Sequence, residues 1–224
     1  PPEAGLPGRS YHAGVDINPK VTWWPMARPF MDYMARCCYM LQQGQFVADV
    51  CYYYGDQAPN FWPAFHDVPE KPLLAGLGQG YDYDVVNSDV ILNRMSVKDG
   101  RIVLPDGMSY RILVLRDQSH MPLEVLKKIA ELVKAGATIL GPKPVTAPGL
   151  KDFEERTRAL QTLAAEVWGP CDGATQTKHR YGAGRVFWDV TARAILERDG
   201  VGPDFSCEAA GLDYLHRTAG DADV

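Results

Sequence analysis

Phe46-Val47-Ala48-Asp49-Val50-Cys51-Tyr52-Tyr53-Tyr54, stopped by Gly55-Asp56, decides the fold. The run is apolar almost throughout and rich in aromatic and β-branched residues, whereas a strand with one wet face alternates apolar with polar positions. It therefore predicts a central parallel strand covered on both faces. Downstream, the pattern predicts a short strand at Tyr83 to Val86 and a helix near Ser88 to Met95, capped by Asn87 or Ser88. Val97 to Leu104 reads as a hairpin turning at Asp99-Gly100. Tyr110 to Leu115 is a second buried strand. Leu123 to Lys134 is a helix with Leu123, Leu126, Ile129, Ala130 and Val133 on one face, closed by Gly136. A third strand at Ala137 to Leu140, a helix at Phe153 to Trp168, a fourth strand at Arg185 to Trp188 and a helix at Thr191 to Arg198 complete the series. Strands alternating with helices predict an α/β fold, a doubly wound parallel sheet built from the four buried strands, because right-handed crossovers permit little else.

Ahead of this domain, Pro and Gly crowd the first eight residues, and a short strand is expected near Tyr11 to Gly14, followed by an irregular loop. From Met26 to Gln43 the residues Met26, Phe30, Met34, Cys37 and Leu41 recur every three or four positions, which predicts a helix with one buried stripe, ended by Gly44. Gln57 to Gly80 is a long loop rich in Pro and Gly, of a kind usually kept for function.

Composition sets limits. The net charge is -5 and the 23 basic residues are scattered, which argues against a nucleic-acid footprint. No apolar run reaches the roughly 18 residues that span a bilayer. The five cysteines, Cys37, Cys38, Cys51, Cys171 and Cys207, form no Cys-x-x-Cys pair and read as core thiols. His12, His66, His120, His179 and His216 are too scattered in sequence to suggest a metal site.

The opening loop, Gly14-Val15-Asp16-Ile17-Asn18-Pro19-Lys20-Val21-Thr22-Trp23-Trp24, places paired indoles beside compact polar groups. Flat indole faces cover the C–H faces of a pyranose, while Asp16 and Asn18 oxygens can fix its hydroxyls. The competing structural reading makes Trp23 and Trp24 a hinge between two domains. Ligands of a doubly wound sheet lie beyond the carboxyl ends of its strands, which selects Gly55 to Phe61, Arg116 to His120 and Gly141 to Pro148. The first of these loops offers Asp56 and Asn60 beside Phe61 and Trp62, against the alternative of a Pro-stiffened loop packed on a neighbour.

Acid chemistry is thinner. Glycoside cleavage needs two carboxylates roughly 5 to 10 Å apart, and none of Glu3, Glu154, Glu155, Asp82 or Asp84 makes a convincing pair; the last two are expected in solvated turn roles. Ser119 beside His120 is not read as a catalytic dyad, because adjacent side chains diverge and no orienting acid is specified. Gly76-Leu77-Gly78-Gln79-Gly80 follows no strand and opens no helix at once, so a phosphate cradle is weak.

Five stretches carry a family likeness together with the opening loop: Leu41 to Val50, Tyr53-Tyr54-Gly55-Asp56-Gln57-Ala58-Pro59-Asn60-Phe61, Tyr83-Asp84-Val85-Val86-Asn87, Leu104 to Arg111, and Leu212-Asp213-Tyr214-Leu215-His216-Arg217. In these motifs and their order the chain resembles the large α-L-rhamnosidases of glycoside hydrolase family 106. One departure falls in the opening loop, where the family pattern Gly-Thr-His-x-Asn reads Gly14-Val15-Asp16-Ile17-Asn18. The resemblance implies that residues 1–44 are the end of a catalytic barrel, with its last strand, loop and helix. Residues 45–204 would then be a flavodoxin-like domain akin to glutamine amidotransferases, and residues 205–224 a linker into a missing β domain. The amidotransferase cysteine elbow has no counterpart in Leu115-Arg116-Asp117-Gln118-Ser119-His120, so that activity is not expected.

The resemblance further implies an extracellular or periplasmic parent that cleaves terminal α-L-rhamnosyl or related deoxy-sugar linkages in polysaccharides. Its catalytic carboxylates would lie upstream of residue 1. Asp16, Asn18, Trp23, Trp24, Asp56 and Asn60 would contact the carbohydrate substrate, and the chain would touch the missing barrel and β domains. No cofactor is implied, with calcium left open in the full-length parent. The alternative is a non-catalytic flavodoxin-like module for carbohydrate binding or domain assembly.

Overall fold

The computed structural model describes residues 17–56, 76–115, 119–208, 212 and 214–224. The strand expected near Tyr11 to Gly14, most of the Pro-rich loop, and the site candidates Asp16 and Asn60 lie outside the described residues.

The elements in chain order are α1 (Arg28–Leu41), β1 (Gln45–Phe46), β2 (Val50–Tyr53), β3 (Tyr83–Val86), α2 (Ser88–Arg94), β4 (Ser96–Lys98), β5 (Arg101–Val103), β6 (Ser109–Tyr110), β7 (Ile112–Val114), α3 (Leu123–Ala135), β8 (Thr138–Leu140), α4 (Phe153–Trp168), β9 (Lys178–Tyr181), β10 (Gly184–Phe187), α5 (Ala192–Arg198), β11 (Arg217–Ala219) and β12 (Ala222–Asp223). The main sheet has the order β3-β2-β7-β8-β10-β9. Its first five strands run parallel, and β9 closes the edge antiparallel to β10. Counted along the chain, the parallel strands stand in the order 2-1-3-4-5, a doubly wound arrangement.

All four residues of β2 are buried, as a strand flanked on both sides and covered on both faces requires. Alternation divides its side chains between two cores. Cys51 and Tyr53 join Leu113, Ile139 and Val186 under α2, α3 and α4, where Ile129, Leu160 and Trp168 are fully buried. Val50 and Tyr52 join Ile112, Leu140 and Phe187 on the opposite face, under Ile195 and Leu196 of α5 and the loop residue Leu77. Local signals fix the helix ends. Asn87 Oδ1 accepts the Val90 amide at 3.1 Å and Thr191 Oγ1 accepts the Ala194 amide at 3.1 Å.

Five expectations are corrected. The run Phe46–Tyr54 is two strands, because the chain leaves one sheet for another: Val47 donates its amide to the His216 carbonyl, while Asp49 donates to Asp82. Tyr110 likewise belongs to the small meander β4-β5-β6 rather than to β7. The stripe of α1 is not buried; Phe30 is 48%, Met34 41% and Leu41 50% exposed, since no described element lies over it. For the same reason Cys37 is only half-buried and Cys38 exposed, and Cys207 is exposed as well, whereas Cys51 and Cys171 are core thiols. Finally, Asp82 and Asp84 are not solvated. Asp82 is buried and accepts the Tyr83 amide at 2.8 Å, and Tyr110 donates its hydroxyl to Asp84 at 2.8 Å, with burial pushing the Asp84 carboxyl above its ordinary range.

At the amino ends of the parallel strands, β1 pairs with the hairpin β11-β12. His216 fastens this hairpin. Its Nε2 lies 3.0 Å from Asp223 Oδ1 and its Nδ1 3.4 Å from Asp204 Oδ2. Burial lowers the His216 pKa, but the hydrogen bonds and charges of Asp223 and Asp204 outweigh it, and the net shift is upward. A raised value makes the stabilising contribution complete below the ordinary histidine pKa of about 6.5 and lost as pH rises through the higher folded value. The melting temperature of His216→Gln should therefore fall below that of the parent in mildly acidic buffer, with the gap closing as pH rises past neutrality. A constant gap would show that His216 acts by packing alone.

Backbone contact limits two glycines differently. A Cβ on Gly184 would fall on the carbonyl oxygens of Val133 and Ala137, whereas one on Gly100 would meet nothing within 4 Å and would suffer only the φ of +75°. Gly184→Ala should cost about 3 kcal/mol and Gly100→Ala about 1 kcal/mol, measured by denaturant unfolding.

Candidate functional site

The strand order reverses beside β2, whose two neighbours β3 and β7 are reached in opposite directions from it. The crevice beyond the carboxyl ends of β2 and β7 is where such sheets bind ligands. Asp56 stands at the end of β2, three residues beyond Tyr53. Tyr53 donates its hydroxyl to Asp56 Oδ2 at 2.7 Å, and Ser88, the first residue of α2, donates to Asp56 Oδ1. Tyr53 also lies 2.9 Å from Ser88 Oγ, closing a three-membered network. Burial pushes the Tyr53 phenol well above its ordinary range, with the Ser88 bond opposing and Asp56 reinforcing the shift. Both carboxylate oxygens of Asp56 thus accept internal hydrogen bonds, and a sugar hydroxyl would share them.

Across the reversal point, the loops after β7 and β8 are tied together. Ser119 accepts the Val145 and Thr146 amides at 2.9 and 3.1 Å, and the Met121 amide reaches the Thr146 carbonyl at 3.1 Å. His120 Nδ1 meets the Thr146 hydroxyl, and His120 Nε2 lies 3.4 Å from Ser119 Oγ. The expectation that Ser119 and His120 diverge is therefore corrected, since bridge pairing of His120 with Thr146 turns the ring back toward its neighbour. Among the described residues the imidazole is oriented by a hydroxyl rather than a carboxylate, whereas a nucleophilic relay rests on an acid. Both ring nitrogens face hydroxyls of the trio itself, and the Thr146 hydroxyl lies 3.4 Å from the Ser119 carbonyl oxygen. Thr146 was not singled out from sequence, because only the pairing of the two loops brings it to His120.

The opening loop forms a separate group. Asn18 is half-buried and its Oδ1 accepts the Lys20 amide at 2.8 Å. The Trp24 amide bonds to Val21 and the Met26 amide to Trp23, leading through a 3-10 turn at Trp24–Met26 into α1. The Trp23 and Trp24 rings lie 6.3 Å apart, tilted by 50°, and Trp23 is 37% exposed. Trp23 is thus the more open of the two indoles, and Trp24 is half-buried.

The glycine-rich stretch before Tyr81 has a packing role. Leu77 is buried, and Arg193 donates to the Leu77 and Gln79 carbonyls at 3.4 and 3.1 Å. Glu154 and Glu155 sit exposed in the first turn of α4. Among the described residues no group of three or more His, Cys, Asp or Glu side chains could hold a metal ion, and no helix is long and apolar enough to cross a membrane.

Comparison with known proteins gives the chain its relatives. Over 218 residues it is 34% identical to a protein of Formosa agariphila titled "Putative beta-glucuronidase", a match covering 96% of this chain and 17% of that protein. Its fold superposes on the rhamnosidase structure from Novosphingobium sp. PP1Y with a TM-score of 0.76 and 31% identity, covering 94% of this chain and 20% of the other. The chain thus spans about a fifth or less of the length of these relatives. The profile of the alpha-L-rhamnosidase family, glycoside hydrolase family 106, matches residues 1–224 from end to end, and to that family this chain belongs.

Proposed function

We propose that this chain is part of a glycoside hydrolase that cleaves terminal α-L-rhamnosyl or related deoxy-sugar linkages in polysaccharides outside the cell or in the periplasm. It supplies loops to the substrate site and a flavodoxin-like domain that supports them. The observation that carries the reading is the family match over all 224 residues, joined by a rhamnosidase as structural neighbour. The residues assigned to the carbohydrate are Asp16, Asn18, Trp23 and Trp24 of the opening loop and Asp56 and Asn60 beyond β2. The Formosa agariphila relative, titled a putative beta-glucuronidase, adds glucuronide linkages to the class considered.

The exposed stripe of α1 supports a second part of the proposal, that the chain docks against other domains of a longer parent. Fourteen residues of helix with no buried side chain are poorly stable alone in water. Phe30, Met34 and Leu41 therefore face a neighbouring domain, with residues 1–44 closing a catalytic barrel and residues 205–224 leading into a β domain. The alternative is a free-standing module for carbohydrate binding or domain assembly, and the internal hydrogen bonds on both Asp56 oxygens favour the domain-assembly form of it.

Kinetics on the full-length protein test the reading. Trp23→Ala or Trp24→Ala should lower kcat/KM on an aryl α-L-rhamnoside by roughly ten-fold, the loss of about 1 to 2 kcal/mol of stacking. Unchanged kinetics with a lowered melting temperature would make the indoles a domain seam. The 224-residue chain by itself should show no turnover above buffer, since general acid and nucleophile would be missing.

Docking is tested separately. Phe30→Ser combined with Leu41→Ser should change the unfolding free energy of this chain by under about 0.5 kcal/mol while costing the full-length protein about 2 kcal/mol or more. Equal effects in both would remove the docking role.

A further inference from the structure

We propose that Lys178, Arg180, Arg185 and Arg198, at the outer edge of the main sheet, form a binding site for an anionic saccharide carrying carboxylate or sulfate groups. The register of β9 on β10 sets Lys178 opposite Phe187 and Arg180 opposite Arg185, so all three cations stand on one face of the edge. That is the face covered by α5, and Arg198 comes from its last turn. Three of the cations close on one buried ring: Arg198 Cζ lies 4.6 Å, Lys178 Nζ 5.5 Å and Arg185 Cζ 5.5 Å from the Phe187 centroid.

The acid supply is short. Asp199 is engaged by Arg185, whose Nη1 donates to Oδ1 at 2.9 Å and whose Nη2 donates to Oδ2, while Arg185 Nε donates to Thr138 Oγ1 at 2.9 Å. Arg185 is therefore the fixed member. Among the described residues Lys178, Arg180 and Arg198 form no salt bridge. Acids outnumber bases 28 to 23 in the whole chain, yet four bases gather here around one acid. The crowding is felt at Lys178, whose pKa is lowered by burial and then by Arg198, Arg185 and Arg180. A bound carboxylate or sulfate would relieve that repulsion, and a free guanidinium offers the paired donors such groups accept. Phe187 holds the cations in place from below through its ring face.

The negative charge of the ligand rests on this cluster, whereas its saccharide nature rests on the glycosidase reading. The test is calorimetric titration of the full-length protein with three probes, a glucuronate disaccharide, a sulfated disaccharide and a neutral rhamnosyl disaccharide, at low and physiological salt. Replacement of Lys178, Arg180 and Arg198 by Gln, leaving Arg185 and Asp199, should weaken one or both anionic probes by roughly ten-fold or more and leave the neutral probe unchanged. Whichever anionic probe responds identifies the group recognised. Arg180→Lys with Arg198→Lys should retain most of the binding. Should the triple variant fold poorly, single Arg180→Gln and Arg198→Gln variants, both at exposed positions, should each show a smaller loss.

Unaltered binding of both anionic probes overturns the proposal, as does an equal loss for the neutral one. New self-association with unaltered binding also overturns it, because the cations would then serve only to keep an edge strand from pairing. Anion binding that persists in a protein inactive on rhamnosides would sink the rhamnoside-cleaving reading and leave the cluster's role intact.

Discussion

Complete burial of β2 is the constraint on which the other elements depend. Val50 to Tyr53 pairs in parallel with β3 on one side and β7 on the other, so its backbone is satisfied only when both neighbours are present. Its side chains then have no wet face. Cys51 and Tyr53 need the helical layer of α2 to α4, while Val50 and Tyr52 need α5 and the Leu77 loop. A slip of one residue would exchange the two sets, placing Tyr52, which packs edge-on at 5.4 Å against Tyr83, into a core shaped for Cys51. The same strand aims Tyr53 at Asp56, and so the packing of the sheet's centre and the polar groups at its crevice are one arrangement.

The parts that flank the doubly wound sheet are held by different forces. The strip β1-β11-β12 has few buried apolar residues and is fixed by polar contacts, with Arg217 donating to the Gln43 and Gly44 carbonyls and His216 held between Asp204 and Asp223. Asp49 makes the corner between strip and sheet: its carbonyl accepts the Arg111 and Ile112 amides and its Oδ1 accepts Arg111 Nε at 2.9 Å. Burial pushes the Asp49 carboxyl up, Asp204 adds to that, and Arg111 opposes it. Such polar joints depend on pH and salt more than the core does.

Two polar networks stand beyond the carboxyl ends of the central strands, Asp56 with Tyr53 and Ser88 after β2, and His120 with Ser119 and Thr146 in the paired loops after β7 and β8. The apolar stripe of α1 is exposed, and the cations of β9, β10 and α5 crowd the outer edge of the main sheet around Phe187.

Periodicity and composition along the chain determined the α/β class, the parallel pairing of the central strands, the helices at Ser88, Leu123 and Phe153, the close of the second of these at Gly136, and a cap at Asn87 or Ser88, which the structure resolves to Asn87. Those signals are local: an apolar run, a 3.6-residue stripe, a side chain that can reach an amide three residues on. Tertiary structure alone decided the rest. Phe46 and Val50 read as one strand but belong to two sheets, because partners more than a hundred residues away, His216 and Arg217, claim the first half. The stripe of α1 reads as core and is exposed, since periodicity reports that a face wants burial without saying whether a partner is in the same segment. Antiparallel β9 was missed because Lys178-His179-Arg180-Tyr181 is an edge strand with charges on one face, and lacks the apolar run that marks central strands. The neighbourhoods of Asp56, His120 and Lys178 came from pairing between distant segments, which no spacing in the sequence records.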